Sequence, residues 1–211
     1  WFSTSIMNSI ITSTVSTALA LLIGTPGAYA LSRASMKRER SFSLMILASR
    51  MAPPVAFAIP YFIVYRNLGL LDTRTGLIIV YLTFNLALVV WLMRNFFDAT
   101  PRALEEAAWI DGASLWKTFV LIVLPMSGPA IVTTAMLCFL YSWNDFFFAL
   151  TLTRNSAMTA PVEVVNFMNY EGWEWGKIAA GGTLIMMPVL LFSLLMRKYL
   201  VAGMTAGAVK G

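Results

Sequence analysis

The sequence predicts an all-α protein, a polytopic bundle of transmembrane helices with five spans, and three observations carry that prediction. The first is composition: 59% of the 211 residues are hydrophobic, 12% are charged and mean hydropathy is +0.75, which lies outside soluble globular usage. The second is that the apolar residues fall in runs of bilayer length, about 20 residues, at 6–31, 42–65, 77–93, 128–148 and 178–196. The third is the sorting of basic residues by loop. Arg33, Lys37, Arg38, Arg40, Arg94, Arg102, Lys117, Arg197, Lys198 and Lys210 follow the first, third and fifth runs; Arg66, Arg74, Arg154 and Lys177 follow the others, and Arg50 lies within a run. The positive-inside rule makes the richer side cytoplasmic, together with the C-terminus. That distribution accounts for the net charge of +5 without a nucleic-acid partner.

Taken in order, the first run contains Gly24-Thr25-Pro26-Gly27 and the second Pro53, Pro54 and Pro60. Each proline removes a backbone donor, so a kink or local unwinding is expected, either purely structural or facing a cavity. Five spans with an internal C-terminus place Trp1 outside, with no initiating Met, signal peptide or basic flank; an upstream first span is therefore expected. The connection 67–76 is short and turn-rich. The longer external loop 151–177 carries Pro161, Trp173, Trp175, Glu163, Glu171 and Glu174. Its two tryptophans can anchor at the headgroups or meet an external partner. Cys138 sits in an apolar run and reads as a small buried hydrophobe. No interval between runs is long enough for a soluble domain, so residues 1–211 form one membrane domain.

The polar interval 95–125 differs from the rest. Thr100-Pro101 offers a hydroxyl cap followed by Pro at the first helical position. Arg102 to Ile110 continues with helix formers, Gly112 stands where a left-handed C-terminal residue is wanted, and Ser114 can cap a second short helix. A helix, an elbow and a helix result. Leu104, Ala107, Ala108 and Trp109 give it apolar or small contact surface, while Glu105, Glu106 and Asp111 stay polar. This suits a knob pressed into a groove of a soluble partner. A helix resting on the membrane surface would favour Lys and Arg on its polar face.

The spacing here is Glu106-Ala107-Ala108, three residues, Gly112, nine residues, then Ile122-Val123-Leu124-Pro125. It resembles the EAA loop of ABC importer permeases at every defined position. Tyr29-Ala30-Leu31-Ser32-Arg33, Leu68-Gly69-Leu70-Leu71-Asp72-Thr73, Trp143-Asn144-Asp145-Phe146 and the tail 203–211 are similar to the maltose-type branch of carbohydrate importer permeases. The resemblance covers essentially the whole chain. It implies a type I ABC importer permease fold in a bacterial inner membrane, normally with six spans. It also implies that Glu105, Glu106, Ala107, Ala108, Asp111, Gly112, Ala113, Leu124 and Pro125 couple to a cytoplasmic ATPase. The implied partners are a second permease subunit, two ATPase subunits that bind ATP and Mg, and a periplasmic or extracellular sugar-binding protein. In relatives the glycine-rich tail can reach toward the ATPase; a frayed terminus is the alternative.

Polar residues at membrane depth usually face a cavity or a partner. Asn85, Tyr141, Trp143, Asn144, Asp145 and Phe146 would offer a sugar ring stacking and hydrogen bonds; for Asn144 and Asp145, anchoring and helix capping compete with that role. Arg50 is the only cation well inside a run, and so few intramembrane cations disfavour phosphorylated cargo. No cofactor or metal site is expected in this chain. The sequence has no Gly-x4-Gly-Lys-Ser/Thr, no His and a single Cys, so neither nucleotide binding nor a catalytic set is indicated. An ion-coupled secondary transporter component is the alternative class; it would bring intramembrane carboxylates or paired interrupted helices, and Asp145 alone is a thin basis for it.

Overall fold

A computed structural model describes residues 2–34, 45, 46, 48, 53–169 and 172–208, and the side chains of these other than 169 and 196–208. The order is α1 (Phe2–Arg33), α2 (Pro54–Asn67), α3 (Arg74–Ala99), α4 (Ala103–Ile110) and α5 (Leu115–Thr118). A π-helical turn (Phe119–Val123), α6 (Leu124–Met126), α7 (Gly128–Trp143) and α8 (Phe147–Leu152) follow. Next come α9 (Ala160–Glu163), a 3-10 turn (Val164–Phe167), strands β1 (Met168–Asn169) and β2 (Gly172–Trp173) in one antiparallel hairpin, and α10 (Trp175–Ala208).

α1 buries an unusual stripe. Ser5, Asn8, Ser9, Thr12, Ser13, Ser16, Thr17, Ala20, Gly24, Thr25, Ala28 and Ser32 face inward, while Met7, Ile10, Leu22 and Ile23 face out. In lipid the outside is as apolar as the core, so helices associate through small residues that allow close approach and polar ones that bond across. α1 lies against α3 and α7 in this way. A Cβ added at Gly24 would stand 2.7 Å from Val89 Cγ1, so at Gly24 the backbone of α1 approaches α3 too closely for a side chain. Asn85 of α3 donates to Ser142 Oγ of α7 at 2.8 Å, and Ser16 of α1 meets the same hydroxyl at 3.3 Å. Two apolar clusters complete the packing. One, toward the elbow, joins Ala20, Ala28, Val89, Met93, Phe97, Phe119, Val123 and Cys138; the other, at the opposite end, joins Tyr65, Leu77, Val80, Tyr81, Phe148, Ala149, Leu152 and Val162.

Among the described residues three helices are long and apolar enough to cross a membrane: Phe2–Arg33, Arg74–Ala99 and Trp175–Leu195. Leu115–Met126 and Gly128–Trp143 pass together as a fourth, bent by 73°. The expected run 128–148 is therefore corrected. Its helix ends at Trp143, with Asn144 as C-cap, and gains its length from the segment before Ser127. Pro125, Gly128 and Pro129 around that break remove or loosen backbone bonds. The run 42–65 lies partly outside the described residues, as does Arg50. Its described part begins with Pro53 as an extended N-cap and Pro54 in the first turn, so this pair starts a helix instead of kinking one. Pro26 and Pro60 lie inside helices that continue through them.

Candidate functional site

Five helix ends meet at the elbow. The expected cap is reassigned: Thr100 closes α3, its hydroxyl donating to Phe96 C=O at 3.0 Å. α4 starts after Arg102 with no side-chain cap. Its C-terminus follows the motif closely. Ala113 N–H donates to Ala108 C=O at 2.9 Å and Gly112 N–H to Trp109 C=O at 3.0 Å, the paired bonds of a Schellman ending. Gly112 has φ +83°, a conformation with little penalty for glycine alone. The fixed interval from Ala108 to Gly112 is thus the interval from the third-last helical carbonyl to the left-handed residue. Ser114 then caps α5, accepting from Lys117 N–H at 3.3 Å, as the sequence predicts.

The elbow presents an apolar crest to the outside. Ile110 is 86% exposed, and Leu104, Trp109, Leu115 and Trp116 are exposed with it. Glu106, Ala107, Asp111 and Gly112 share this outer surface; Ala113 is half-buried. Leu124 is half-buried and Pro125 exposed, both in the short helix before the 73° bend.

Glu105 and Ala108 face the other way. Glu105 is 1% exposed, which corrects the expectation that it stays on the polar surface. Its carboxylate accepts from Tyr29 Oη at 2.6 Å and from Arg33 Nε at 2.8 Å. Arg33 also donates to Phe97 C=O at 3.0 Å, Ser32 donates to Asp98 at 2.5 Å, and Arg102 donates to Ser32 C=O at 3.3 Å. The Tyr29 ring packs between Phe97 and Phe119, with centroids at 5.6 and 4.9 Å. Sequence reading quotes Tyr29 only as part of a resemblance and Arg33 only there and among the basic residues that set orientation. The available signal was an aromatic and a cation one helical turn apart at the end of a span, facing an acid in the elbow.

Around the middle of α3 and the end of α7 the six residues expected along a passage separate. Asn85 and Trp143 are buried inside the chain, Asn85 in the network with Ser142 and Trp143 through Nε1 donating to Ile185 C=O at 3.0 Å. Both tie helices together, Asn85 linking α3 to α7 and Trp143 linking α7 to α10. Tyr141, Asn144, Asp145 and Phe146 line an open concavity of about 520 Å³ with Leu137, Leu140 and Phe147. Within it Asp145 is engaged: Tyr81 Oη and Ala149 N–H each donate to it at 3.0 Å, so it caps α8 and ties it to α3. Asn144 is exposed and, among the described residues, its side chain bonds only its own helix, at Leu140 C=O, 2.8 Å.

A second outer feature escaped sequence reasoning. The Asp72 carboxylate accepts four backbone N–H groups, from Arg154, Asn155, Ser156 and Ala157, at 3.0 to 3.1 Å. Partial burial raises its pKa, but these four donors outweigh that and hold it below the ordinary carboxylate value. Trp173 and Trp175 are both exposed on the hairpin side of the same end, rings 4.9 Å apart.

A helical membrane component with an exposed elbow at one end and an open concavity beyond the end of α7 is the class that fold and site define. The chain belongs to the family described as binding-protein-dependent transport system inner membrane component, whose model matches residues 17–206. It is 38% identical to the trehalose transport system permease protein SugB of Mycobacterium tuberculosis, over 100% of this chain and 78% of that one. It is 36% identical to the trehalose/maltose transport system permease protein MalG of Thermococcus litoralis, over 100% of this chain and 76% of the relative. A chain of a bacterial ABC transporter importing the acidic polysaccharide alginate superposes with a TM-score of 0.73 at 29% identity, covering 94% of this chain and 75% of that one. The MetNI methionine ABC transporter, at TM-score 0.75, 17% identity and 94% coverage of each chain, shares the fold. The protein is thus a multi-pass membrane component of a transport system with the type I importer fold.

Proposed function

We infer that this chain is the permease subunit of an ATP-driven carbohydrate importer, forming half of the passage and hydrolysing no ATP itself. The observation that carries the reading is the elbow. A Schellman ending at Gly112 turns the chain out of α4 into α5, and α4 sets Leu104, Trp109 and Ile110 outward beside Glu106 and Asp111. Such a preorganised apolar crest with an acidic border fits a cleft on a cytoplasmic ATPase subunit. The relatives named for trehalose and maltose transport support a sugar or related polyol as cargo. The remaining partners would be a second permease that covers the open concavity, a pair of ATPase subunits holding ATP and Mg, and an external sugar-binding protein. Tyr141, Asn144 and Phe146 would line this chain's share of the passage, and the C-terminus would be cytoplasmic.

The experiment is purification of the complex from its native membrane through a tag on this chain. The reading expects ATPase subunits and a second permease to co-purify, and ATP hydrolysis that rises when the binding protein is added with trehalose or maltose. A chain that purifies without any ATPase and transports down an ion gradient would replace it with the secondary-transporter alternative.

A further inference from the structure

Glu105 belongs to the elbow yet faces away from the crest that would meet a partner. Its carboxylate is satisfied inside the chain by Tyr29 and Arg33, and Arg33 grips the end of α3 through Phe97 C=O. A buried ion pair adds little net stability compared with a well-packed apolar substitute. Its directional bonds do fix the register of α4 against α1. From Tyr29, α1 runs unbroken to Asn8, 21 residues away and about 30 Å at helical rise. There Asn8 Nδ2 donates to Ser156 C=O at 3.0 Å and Met158 C=O at 2.9 Å, while its Oδ1 accepts from Arg74 Nε at 2.7 Å. Ser9 Oγ accepts from Ala160 N–H at 2.9 Å. One helix is therefore bolted by polar groups to the elbow at one end and to the loop 154–160 at the other.

We propose that Glu105, Tyr29 and Arg33 form a rigid joint through which displacement of the elbow is carried along α1 to the outer loop 154–160. Glu105 is then a positioning residue that acts through α1, and not a contact for the ATPase. The proposal rests on the coupling role given to the elbow above, so its test keeps the two apart.

The intact complex in proteoliposomes carries a reporter cysteine, Asn155→Cys in a Cys138→Ala background, labelled from outside with an impermeant maleimide. Trapping the ATPase subunits with ATP and vanadate is expected to change the labelling rate about fivefold or more, the scale of ordinary coupling between sites. Glu105→Gln and Arg33→Gln should abolish that response while the ATPase subunits stay bound and hydrolyse ATP. The reversed pair, Glu105→Arg with Arg33→Glu, should restore at least half of it. Asn8→Ala should uncouple the far end in the same way. Where Glu105→Gln does not assemble, Tyr29→Phe, which removes one hydroxyl, decides. A response that survives these changes, or a wild-type complex whose labelling ignores the nucleotide, overturns the joint. Gly112→Val reports on the coupling reading separately: if the ATPase subunits remain bound and fully stimulated in that variant, the elbow reading itself has failed.

Discussion

Gly112 and Asp72 both sit at positive φ, +83° and +55°, for different reasons. At Gly112 a Cβ would meet nothing within 4 Å, so the cost of a side chain is conformational alone, about 1–2 kcal/mol for a left-handed residue and more for a β-branched one. Gly112→Val is expected to lower uptake and stimulated ATP hydrolysis with the subunit still inserted. Gly112→Asn, which tolerates this region better, should retain more of both; equal activity of the two variants would remove the elbow geometry from the explanation. Asp72 is held by what its carboxylate gathers, four N–H groups from a segment more than eighty residues away. Because its folded pKa is lowered, the stabilisation is present above the unfolded value of about 3.9 and is lost as pH falls through the folded value. Asp72→Ala should speed hydrogen exchange at the amides of residues 154–157 at neutral pH. The difference from wild type should shrink as the medium is acidified below about pH 4, and an unchanged exchange pattern at neutral pH would mean that the carboxylate does not order the loop.

The helices pack by small residues, so their vulnerability lies in what looks featureless. Gly24→Leu would force α1 from Val89, a contact already at 2.7 Å for a bare Cβ. Overpacking of this kind costs about 1–3 kcal/mol, to be read as a lower melting temperature of the detergent-solubilised complex; an unchanged value would mean that α1 and α3 can separate freely. The break between α7 and α8 tests a passage role against a capping role. Asp145→Ala removes a cap and the link to Tyr81, a loss of roughly 0.5–3 kcal/mol. It should reduce the amount of assembled complex and leave uptake per complex alone. Asn144→Ala, which gives up only a bond within its own helix, should leave the amount unchanged and lower normalised uptake if the amide meets sugar. An unaltered normalised rate would take Asn144 out of the passage. What was legible at this scale follows from range. Spans announce themselves by local hydropathy, and the Glu-Ala-Ala to Gly interval is a local rule of helix endings. The partners of Glu105, Asp72 and Asn85 were not legible, because they are brought together across 57 to 85 positions by helix packing that has no local signature.

At the scale of the molecule the helix ends sort into two layers. Arg33, Ala99 and the elbow share one, while Asn8, Arg74, Asp72 and the loop 154–160 share the other. Which layer is cytoplasmic rests on charge. Among residues with described side chains, Arg33, Arg94, Arg102 and Lys117 stand toward the elbow and Arg66, Arg74, Arg154 and Lys177 toward the other end, four against four. The asymmetry comes from Lys37, Arg38, Arg40, Arg197, Lys198 and Lys210, whose side chains lie outside the described set. Cys138 is buried against Asn85, and Cys138→Ala gives a background for single-cysteine labelling without removing a surface group. In that background Arg38→Cys and Trp109→Cys should react with an impermeant maleimide only after the cells are opened, and Asn155→Cys should react in intact cells. The positive-inside rule depends on charges close to the spans, and three of the six lie together at 37–40. Labelling of Arg38→Cys from outside intact cells would reverse the assignment, place the elbow outside, and with it remove the ATPase from reach of Trp109 and Ile110.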